Sequence, residues 1–182
     1  MTSAAPPSAS LPTEVLMDPE QEFTDLFAVL WPRLYRMAVA VAGDAGAAED
    51  AVQTAFGKAY ASWSRVRRAD HVEAYVRRMV INEILGARRA GWFRRELPRE
   101  TVETGRVSVA HDDAVADRDA VWAAVRALPA RQRAVIVLRY YEDLSEEQIA
   151  AALGCSRGTV KSQASAALAN LRRAGATTEG DE

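Results

Sequence analysis

The 182-residue sequence has few of the residues that enzymes and metal proteins use for chemistry. Cys155 is the only cysteine, so the chain cannot form an intramolecular disulfide. His71 and His111 are the only histidines, and without a cysteine companion they are too few for a zinc site. The sequence contains no Ser–His–Asp set and no phosphate-binding glycine loop. We therefore expect no cofactor, no metal and no enzymatic activity.

Aromatic residues make up only 7% of the chain, whereas 49% of it is hydrophobic and alanine is abundant. This balance favours small helical units over a β-sandwich. No apolar run is as long as a membrane span, so we expect no membrane insertion. Residues 1–19 are rich in Ala, Ser and Pro, and they lack the basic start and apolar centre of a secretory signal. We expect a disordered tail there, and a cytoplasmic protein.

The most specific pattern lies near the C-terminus and is typical of a helix-turn-helix. Ser145 and Gln148 have the spacing of a capping box, and Gly154 permits a sharp turn after the first helix. Ser156 can cap a second helix. The buried stripe of that helix is then Val160, Ala164, Ala167, Leu168 and Leu171. The pattern predicts a DNA-binding hairpin, although an ordinary helical hairpin in an all-α core is also compatible with it.

Residues 20–98 are predicted to form a separate helical unit with three-and-four spacing of its apolar residues. Pro32 either starts a second helix or kinks a long one. Gly43 is expected to end this first element, and Asp44 to cap the next helix, over about 45–63. A polar loop over 64–70 then leads to a third helix over about 71–89.

The formal net charge of −2 argues against nucleic acid only on average, because the charges are segregated. Between residues 64 and 99, ten arginines face four acids, which leaves a local charge of +6. Arg78, Asn82 and Arg89 share one exposed helical face. Arginine beside aromatic residues suits single-stranded nucleic acid, because cations hold phosphates and rings stack on bases. A merely solvated charged face is the alternative.

Residues 99–117 are acidic and poor in large apolar side chains, so we interpret them as a flexible linker. The roughly 25 residues between the helical units span at most about 80 Å. Residues 118–173 form the second unit, in which Val121, Trp122, Val125 and Leu128 share a helical face and Pro129 opens the next helix. Residues 174–182 are an acidic tail. The expected fold is all-α, with two small helical domains and a C-terminal helix-turn-helix.

Three segments resemble the conserved parts of bacterial RNA polymerase sigma factors, in the same order and with similar separations. Residues 48–60 resemble the helix that binds core polymerase. Residues 77–82, followed by Arg88 and Arg89, resemble the helix that reads the −10 promoter element. Residues 128–133 and 141–171 resemble the domain that reads the −35 element. The chain is most similar to the extracytoplasmic-function group (group IV), and within it to the actinobacterial SigE family.

The resemblance implies a protein that binds core RNA polymerase, recognises −35 and −10 elements and helps melt the −10 region. Its partners would be core polymerase, promoter DNA as duplex and as melted single strand, and an anti-sigma factor as a further candidate. By position, the core-binding residues are Asp50, Val52, Gln53 and Phe56. The −10 residues are Trp63, Arg65, Arg67, Arg68, His71, Arg77, Arg78, Asn82, Arg88 and Arg89. The −35 residues are Arg157, Thr159, Lys161, Ser162 and Gln163.

A second hypothesis uses the same C-terminal hairpin without polymerase. A helix-turn-helix regulator would bind duplex DNA alone, commonly as a dimer on a palindromic site. Regulators with receiver domains need alternating strands and helices at the N-terminus, and no β-rich run is present there.

Overall fold

The computed structural model of the protein describes residues 18–93 and 113–178, with side chains over 18–87 and 119–175. Within these ranges the chain is helical throughout, and the elements fall into an N-terminal and a C-terminal unit. The N-terminal unit contains α1 (Pro19–Ala42), α2 (Ala45–Ala61), α3 (Trp63–Val66) and α4 (Val72–Phe93). The C-terminal unit contains α5 (Asp113–Ala127), α6 (Ala130–Ile136), a π-helical turn (Val137–Tyr141), α7 (Glu146–Leu153) and α8 (Arg157–Thr178).

The junction of α1 and α2 forms as its residues predict. Gly43 adopts the left-handed conformation at φ 71°, which ends α1. The Asp44 carboxylate accepts a hydrogen bond of 2.7 Å from the backbone N–H of Ala47 and so caps α2. Pro32 lies inside α1, so the helix runs on through the proline. The α1–α2 pair and α4 bury a common core that includes Leu34, Met37, Val52, Phe56, Val76 and Val80.

Three features of the structure differ from the prediction: one loop, one helix start and one apolar face. Part of the expected loop over 64–70 is a short helix, α3, whose Trp63 and Val66 are both buried. Helix α5 begins at Asp113, within the stretch interpreted as linker. Val125 of α5 and Leu128, just after the helix, are buried but Val121 is 61% exposed, so the expected apolar face is narrower. Residues 1–17, 94–112 and 179–182, which include both predicted tails and most of the linker, lie outside the described ranges.

The helix-turn-helix forms on the predicted caps. The Ser145 hydroxyl accepts from the Gln148 N–H at 3.2 Å, and the Gln148 side chain accepts from the Ser145 N–H at 2.9 Å. Gly154 is left-handed at φ 61°, and the Ser156 hydroxyl accepts from the Thr159 N–H at 3.1 Å at the start of α8. Val160, Ala164 and Ala167 are buried, as expected, while Leu168 and Leu171 are half-buried.

The π-helical turn that continues α6 has no counterpart in the sequence prediction. In it the Glu142 N–H donates to the Val137 carbonyl at 3.1 Å, five residues back. The Leu144 N–H then donates to the Leu138 carbonyl at 3.0 Å. This wide turn carries Tyr140 and Tyr141 to the surface, at 62% and 45% exposure, although Tyr141 was expected to pack inside. It also places Glu142 in a buried position, at 7% exposure.

The two helical units are in direct contact, which the sequence does not predict. Helix α4 packs on α7, and α1 packs on α6 and the π-helical turn. Buried side chains of both units form one continuous cluster, from Leu30 to Ala167. Arg133 of α6 reaches the C-terminal end of α1, where its guanidinium donates to the carbonyls of Val41 and Ala42. The described chain is therefore one closed body built from two units.

Candidate nucleic-acid interface

The solvent face of α4 carries two of the predicted −10 residues. Arg78 and Asn82 are both exposed and lie four residues apart, so they share one side of the helix. An arginine and an amide side by side can hold a phosphate and hydrogen-bond a base edge. The side chains of Arg88 and Arg89, about two turns beyond Asn82, lie outside the described ranges.

Arg77 does not belong to this exposed face, and its contact with DNA stays a prediction. The residue is only 7% exposed. Its guanidinium pairs with Glu73 one turn earlier, and its Nε lies 3.7 Å from Oε2 of Glu142 in the C-terminal unit. Arg77 is turned inward because two carboxylates offset the cost of burying its charge.

A cleft of about 900 Å³ opens where the start of α1 meets α3. Its walls include Tyr60, Trp63, Ser64, Arg67 and Arg68. Trp63 is 93% buried, and its indole N–H has no hydrogen-bond partner among the described residues. Tyr60 is 53% exposed and offers a ring face. The cleft thus combines aromatic surface and cations with the carboxylates of Asp18 and Glu20.

The predicted −10 residues around this cleft are placed differently from one another. Arg65, Arg68 and His71 are exposed. Arg67 is tied to α1 by an ion pair of 3.0 Å with Glu22, so it braces the cleft wall. The two side chains are 35% and 36% exposed and Glu22 Oε2 itself is buried, so this pair fixes Arg67 in the free protein.

The predicted core-binding residues of α2 separate into two groups. Asp50 and Gln53 are exposed, and the Gln53 amide donates to Glu49 at 3.1 Å. Val52 is fully buried and Phe56 is 3% exposed, so both side chains pack inside the unit in the free chain, and their contact with core polymerase stays a prediction. Their apolar side chains face α1, because burying them inside the unit removes more surface from water than a partner contact would.

An aromatic strip beside α2 was missed by the sequence reading. Phe27 is 36% exposed, and Val29, on another side of α1, is 74% exposed. Phe27 packs against Trp31 and Phe56 with ring centroids 5.0 Å apart in each pair. The signal available in the sequence was the run of apolar residues over 26–31, which is too continuous for one buried helical face.

The start of α8 carries the predicted −35 residues. Arg157, Lys161 and Ser162 are exposed; Lys161 Nζ lies 3.8 Å from Oε2 of Glu146, and the Ser162 hydroxyl donates to the Thr159 carbonyl at 2.9 Å. Thr159 and Gln163 are half-buried. Together with Leu85 of α4, these two residues line a void of about 10 Å³ between the units. The start of α8 thus exposes one side and turns the other side toward the N-terminal unit.

Metal-ligand clusters and membrane-spanning helices were the two remaining kinds of functional feature to consider in the described residues. No group of three or more His, Cys, Asp or Glu side chains is placed to hold a metal ion in the ranges that the structure covers. None of the described helices is both long enough and apolar enough to cross a membrane.

Comparison with known proteins identifies both units. Residues 26–94 match the family described as Sigma-70 region 2, and residues 118–171 match Sigma-70, region 4. The chain is 36% identical over 155 residues to the RNA polymerase sigma-E factor of Streptomyces antibioticus, with 83% of each chain covered. It is 35% identical over 149 residues to the ECF RNA polymerase sigma factor SigL of Mycobacterium tuberculosis, covering 80% of this chain and 81% of the relative.

Solved structures share the fold. The sigma factor RpoE of Bartonella quintana, in complex with the anti-sigma factor NepR, has a TM-score of 0.68 at 24% identity and covers 89% of this chain and 99% of that one. CnrH in complex with the cytosolic domain of CnrY has a TM-score of 0.58 at 21% identity, covering 90% and 91%. With two ordered region matches and relatives above 30% identity, the chain belongs to the sigma-70 family of RNA polymerase sigma factors, in its extracytoplasmic-function group.

Proposed function

We propose that this sigma factor divides promoter recognition between its two units, with α4 and the adjacent cleft reading the −10 element and α8 reading the −35 element. The observation that carries the proposal is the combination of exposed Arg78 and Asn82 on α4 with an aromatic, cationic cleft in the same unit. A strand-opening protein needs sites that stabilise unpaired bases, because extruding a base from the duplex costs a few kcal/mol.

The cleft beside α3 is the proposed receptor for an extruded −10 base. Its volume of about 900 Å³ exceeds that of one nucleotide, so a base and its flanking phosphate fit together. The ring of Tyr60 can stack on the base, and Arg68 can hold the phosphate. The indole N–H of Trp63 is buried and unpaired among the described residues, so a base acceptor that reached it after a shift of the cleft wall would satisfy it.

The exposed side of α8 is the proposed reader of the −35 duplex. A helix fits the major groove, and its first turns contact base edges. Arg157 and Lys161 can each donate to guanine, while Ser162 can hold a phosphate. Thr159 and Gln163 can join them only once the N-terminal unit has moved away, since both face the void shared with Leu85.

Core polymerase docking is assigned to the solvent side of α2 and the aromatic strip next to it. Asp50 and Gln53 supply polar contacts, and Phe27, which packs on Phe56 of α2, supplies exposed apolar surface of the kind found at protein interfaces. The order of events follows from tethering: two weak DNA readers become specific when one large partner carries both.

Four further properties complete the proposal: the absence of catalysis, the cellular location, a second protein partner and the domain limits. The protein acts as an initiation factor without catalytic chemistry of its own, and it works in the cytoplasm, where core polymerase transcribes. An anti-sigma factor is a further candidate partner, since RpoE and CnrH, which share the fold, are each seen bound to a second protein. The proposed domain limits are residues 20–98 and 118–173, with the second extended to Asp113 by α5.

The direct test is run-off transcription with the host's core enzyme on a genomic template library, followed by mapping of start sites. The proposal expects transcripts that require both core and this protein and that share two upstream elements. Binding to forked DNA with an unpaired −10 strand should fall for Tyr60→Ala and Arg68→Ala and not for Lys58→Ala. Transcripts without added protein, or none at any promoter, would contradict the proposal.

A further inference from the structure

A hydrogen bond between two side-chain amides joins α6 to α8 inside the C-terminal unit. The Asn170 amide nitrogen in α8 donates to the Gln132 side-chain oxygen in α6 at 2.7 Å, and both side chains are half-buried. The Asn170 oxygen in turn accepts from Arg173, about one turn later on α8. Asn170 and Lys161 lie on opposite sides of α8, at ~100° per residue. The two amides are therefore separate from the exposed side that is assigned to the −35 duplex.

The apolar contact of α8 with the rest of its unit specifies the axial position of the helix only weakly. In the described part of α8 the buried side chains are Val160, Ala164 and Ala167, while Leu168 and Leu171 are half-buried. Packed helices are held in one register by side chains that interlock as ridges in grooves. An alanine methyl group forms a low ridge, so it sets the spacing of two helices more than their register. A polar pair in such a contact can specify the register, as a buried asparagine does in coiled coils.

The turn of the helix-turn-helix holds the other end of α8. The Ser156 hydroxyl accepts from the Thr159 N–H at 3.1 Å, and the Cys155 N–H donates to the Ala150 carbonyl at 3.1 Å. Ser156 and Asn170 lie about 21 Å apart along the helix, at ~1.5 Å per residue. A rod that is fixed at one point can pivot, whereas a rod that is fixed at two points has one direction. The bond between Gln132 and Asn170 supplies the second point.

The proposed −35 residues lie between these two fixed points. A tilt of about 10° at Ser156 would move Lys161 by about 1 Å, since the two lie about 7.5 Å apart along α8. Base edges are recognised through hydrogen bonds whose lengths vary by only a few tenths of an ångström, so a shift of about 1 Å weakens or breaks them. Phosphate contacts tolerate that shift better, because the attraction between charges falls slowly with distance. Loss of the amide bond should therefore weaken base recognition more than general attraction to DNA.

We propose that the hydrogen bond between Gln132 and Asn170 positions α8 for base recognition in the −35 element. This inference rests on the proposed assignment of α8 as the −35 reader. Gln132 and Asn170 are positioning residues: they act through Lys161 and the other residues at the start of α8. The bond contributes to discrimination between base pairs and little to the stability of the fold, because replacing both partners of a hydrogen bond by apolar groups of similar shape is nearly neutral. It is a polar contact whose role is specificity.

Paired substitutions in the full chain test this role. Gln132→Met with Asn170→Leu, called the apolar double variant, removes the bond and keeps the side-chain volume close to the original. Gln132→Asn alone keeps an amide but shortens its reach by one methylene group. Gln132→Asn with Asn170→Gln, called the exchanged pair, keeps the combined length of the two side chains, so the bond can form again. Gln21→Met is the matched control, since it removes a side-chain hydrogen bond of 2.8 Å to Asp25 on α1.

Discrimination between base pairs is measured with each variant bound to core polymerase. Fluorescence anisotropy gives the affinity for the promoter duplex mapped by transcription and for duplexes that carry one changed base pair in the −35 element. The ratio of these affinities should fall by about fivefold, equivalent to ~1 kcal/mol, in the apolar double variant and in Gln132→Asn. The exchanged pair and Gln21→Met should keep the reference ratio. Affinity for a duplex with a scrambled −35 element, and for forked −10 DNA, should stay the same in all variants.

A merely structural role of the bond predicts a different result. The apolar double variant would then unfold at a lower temperature, followed by circular dichroism, and would lose affinity equally for every duplex; that outcome overturns the proposal. An unchanged ratio in Gln132→Asn also overturns it, and this variant carries the test if the apolar double variant does not fold. So does an exchanged pair that discriminates no better than Gln132→Asn. Failure of the proposed function would appear differently, as the absence of core-dependent transcripts or of any −35 preference in the reference protein.

Discussion

Arg77 and Arg78 are neighbours in sequence but have opposite environments. Arg77 is buried against Glu73 and lies near Glu142, whereas Arg78 is exposed beside Asn82. Adjacent positions of a helix point about 100° apart. Arg77 therefore lies in the contact between the two units, while Arg78 lies on the exposed face of α4. A substitution at Arg77 therefore changes the contact between units as well as local charge.

Asp50→Arg should weaken core binding without unfolding the protein. Asp50 is exposed on α2, so a charge reversal there leaves the core intact and places a cation where a complementary partner surface expects an anion. Affinity for core, measured by titration of labelled protein, should fall by about tenfold or more. Asp25→Arg, an exposed reversal on α1, is the control. Equal affinity of the Asp50 and Asp25 variants would remove Asp50 from the docking surface.

Lys161→Ala should weaken −35 binding more than −10 opening. The side chain is 63% exposed and its pair with Glu146 is long, at 3.8 Å, so its removal leaves the fold intact. Loss of one base contact costs about 1–3 kcal/mol of discrimination. The measurement compares a −35 duplex with a forked −10 DNA, with Lys58→Ala, the chain's other lysine, as the control. Equal losses on the two DNAs would contradict the assignment.

Helix ends and turns were predictable because their causes are local. Ser145, Gln148 and Gly154 act within a few residues of one another, and each forms the expected cap. The π-helical turn and α3 were not predictable, since they form where one unit meets another element: Glu142 reaches Arg33, and Trp63 packs against Phe23 at 5.3 Å. Such contacts between distant residues leave no periodic trace in the sequence.

Gly57→Ala should stabilise the N-terminal unit. Gly57 lies inside α2, and an added Cβ would meet nothing within 4 Å. Alanine should therefore raise the free energy of unfolding by about 0.5–1 kcal/mol, through the smaller entropy of the unfolded chain. Thermal unfolding followed by circular dichroism measures the change. Gly43→Ala is the contrasting variant and should destabilise, since its φ is +71° and its Cβ would crowd Arg133. Stabilisation by both would contradict this account.

The candidate site was predictable in part for the same physical reason. Exposed polar residues such as Asn82, Asp50 and Arg157 could be placed by helical spacing and resemblance together. Val52, Phe56 and Arg77 could not, because burial depends on what packs opposite, and the sequence does not record that for a single helix. The exposed aromatic strip at Phe27 was lost for the same reason.

At the scale of the whole molecule, the two units are in contact, although the proposed function requires each to bind a different promoter element. In the proposed function, α4 contacts melted DNA and α8 contacts duplex DNA. The contact between the units covers part of both helices. Composition alone conceals this arrangement, since a net charge of −2 arises from a basic stretch over residues 64–99 balanced by acids elsewhere. The described structure therefore holds the two proposed DNA-reading units in contact with one another.

Photocrosslinking within one promoter complex tests most directly whether α4 and α8 contact two separate promoter elements. A photoreactive residue is placed at Gly86 on α4 or at Gly158 on α8; an added side chain meets nothing within 4 Å at the first position and only the Ser156 hydroxyl, at 3.7 Å, at the second. With core polymerase, the account predicts crosslinks from position 86 to the −10 strand and from position 158 to the −35 duplex, about 25 base pairs away. Crosslinks from both positions within the same ten or so base pairs, or the same pattern without core, would contradict it.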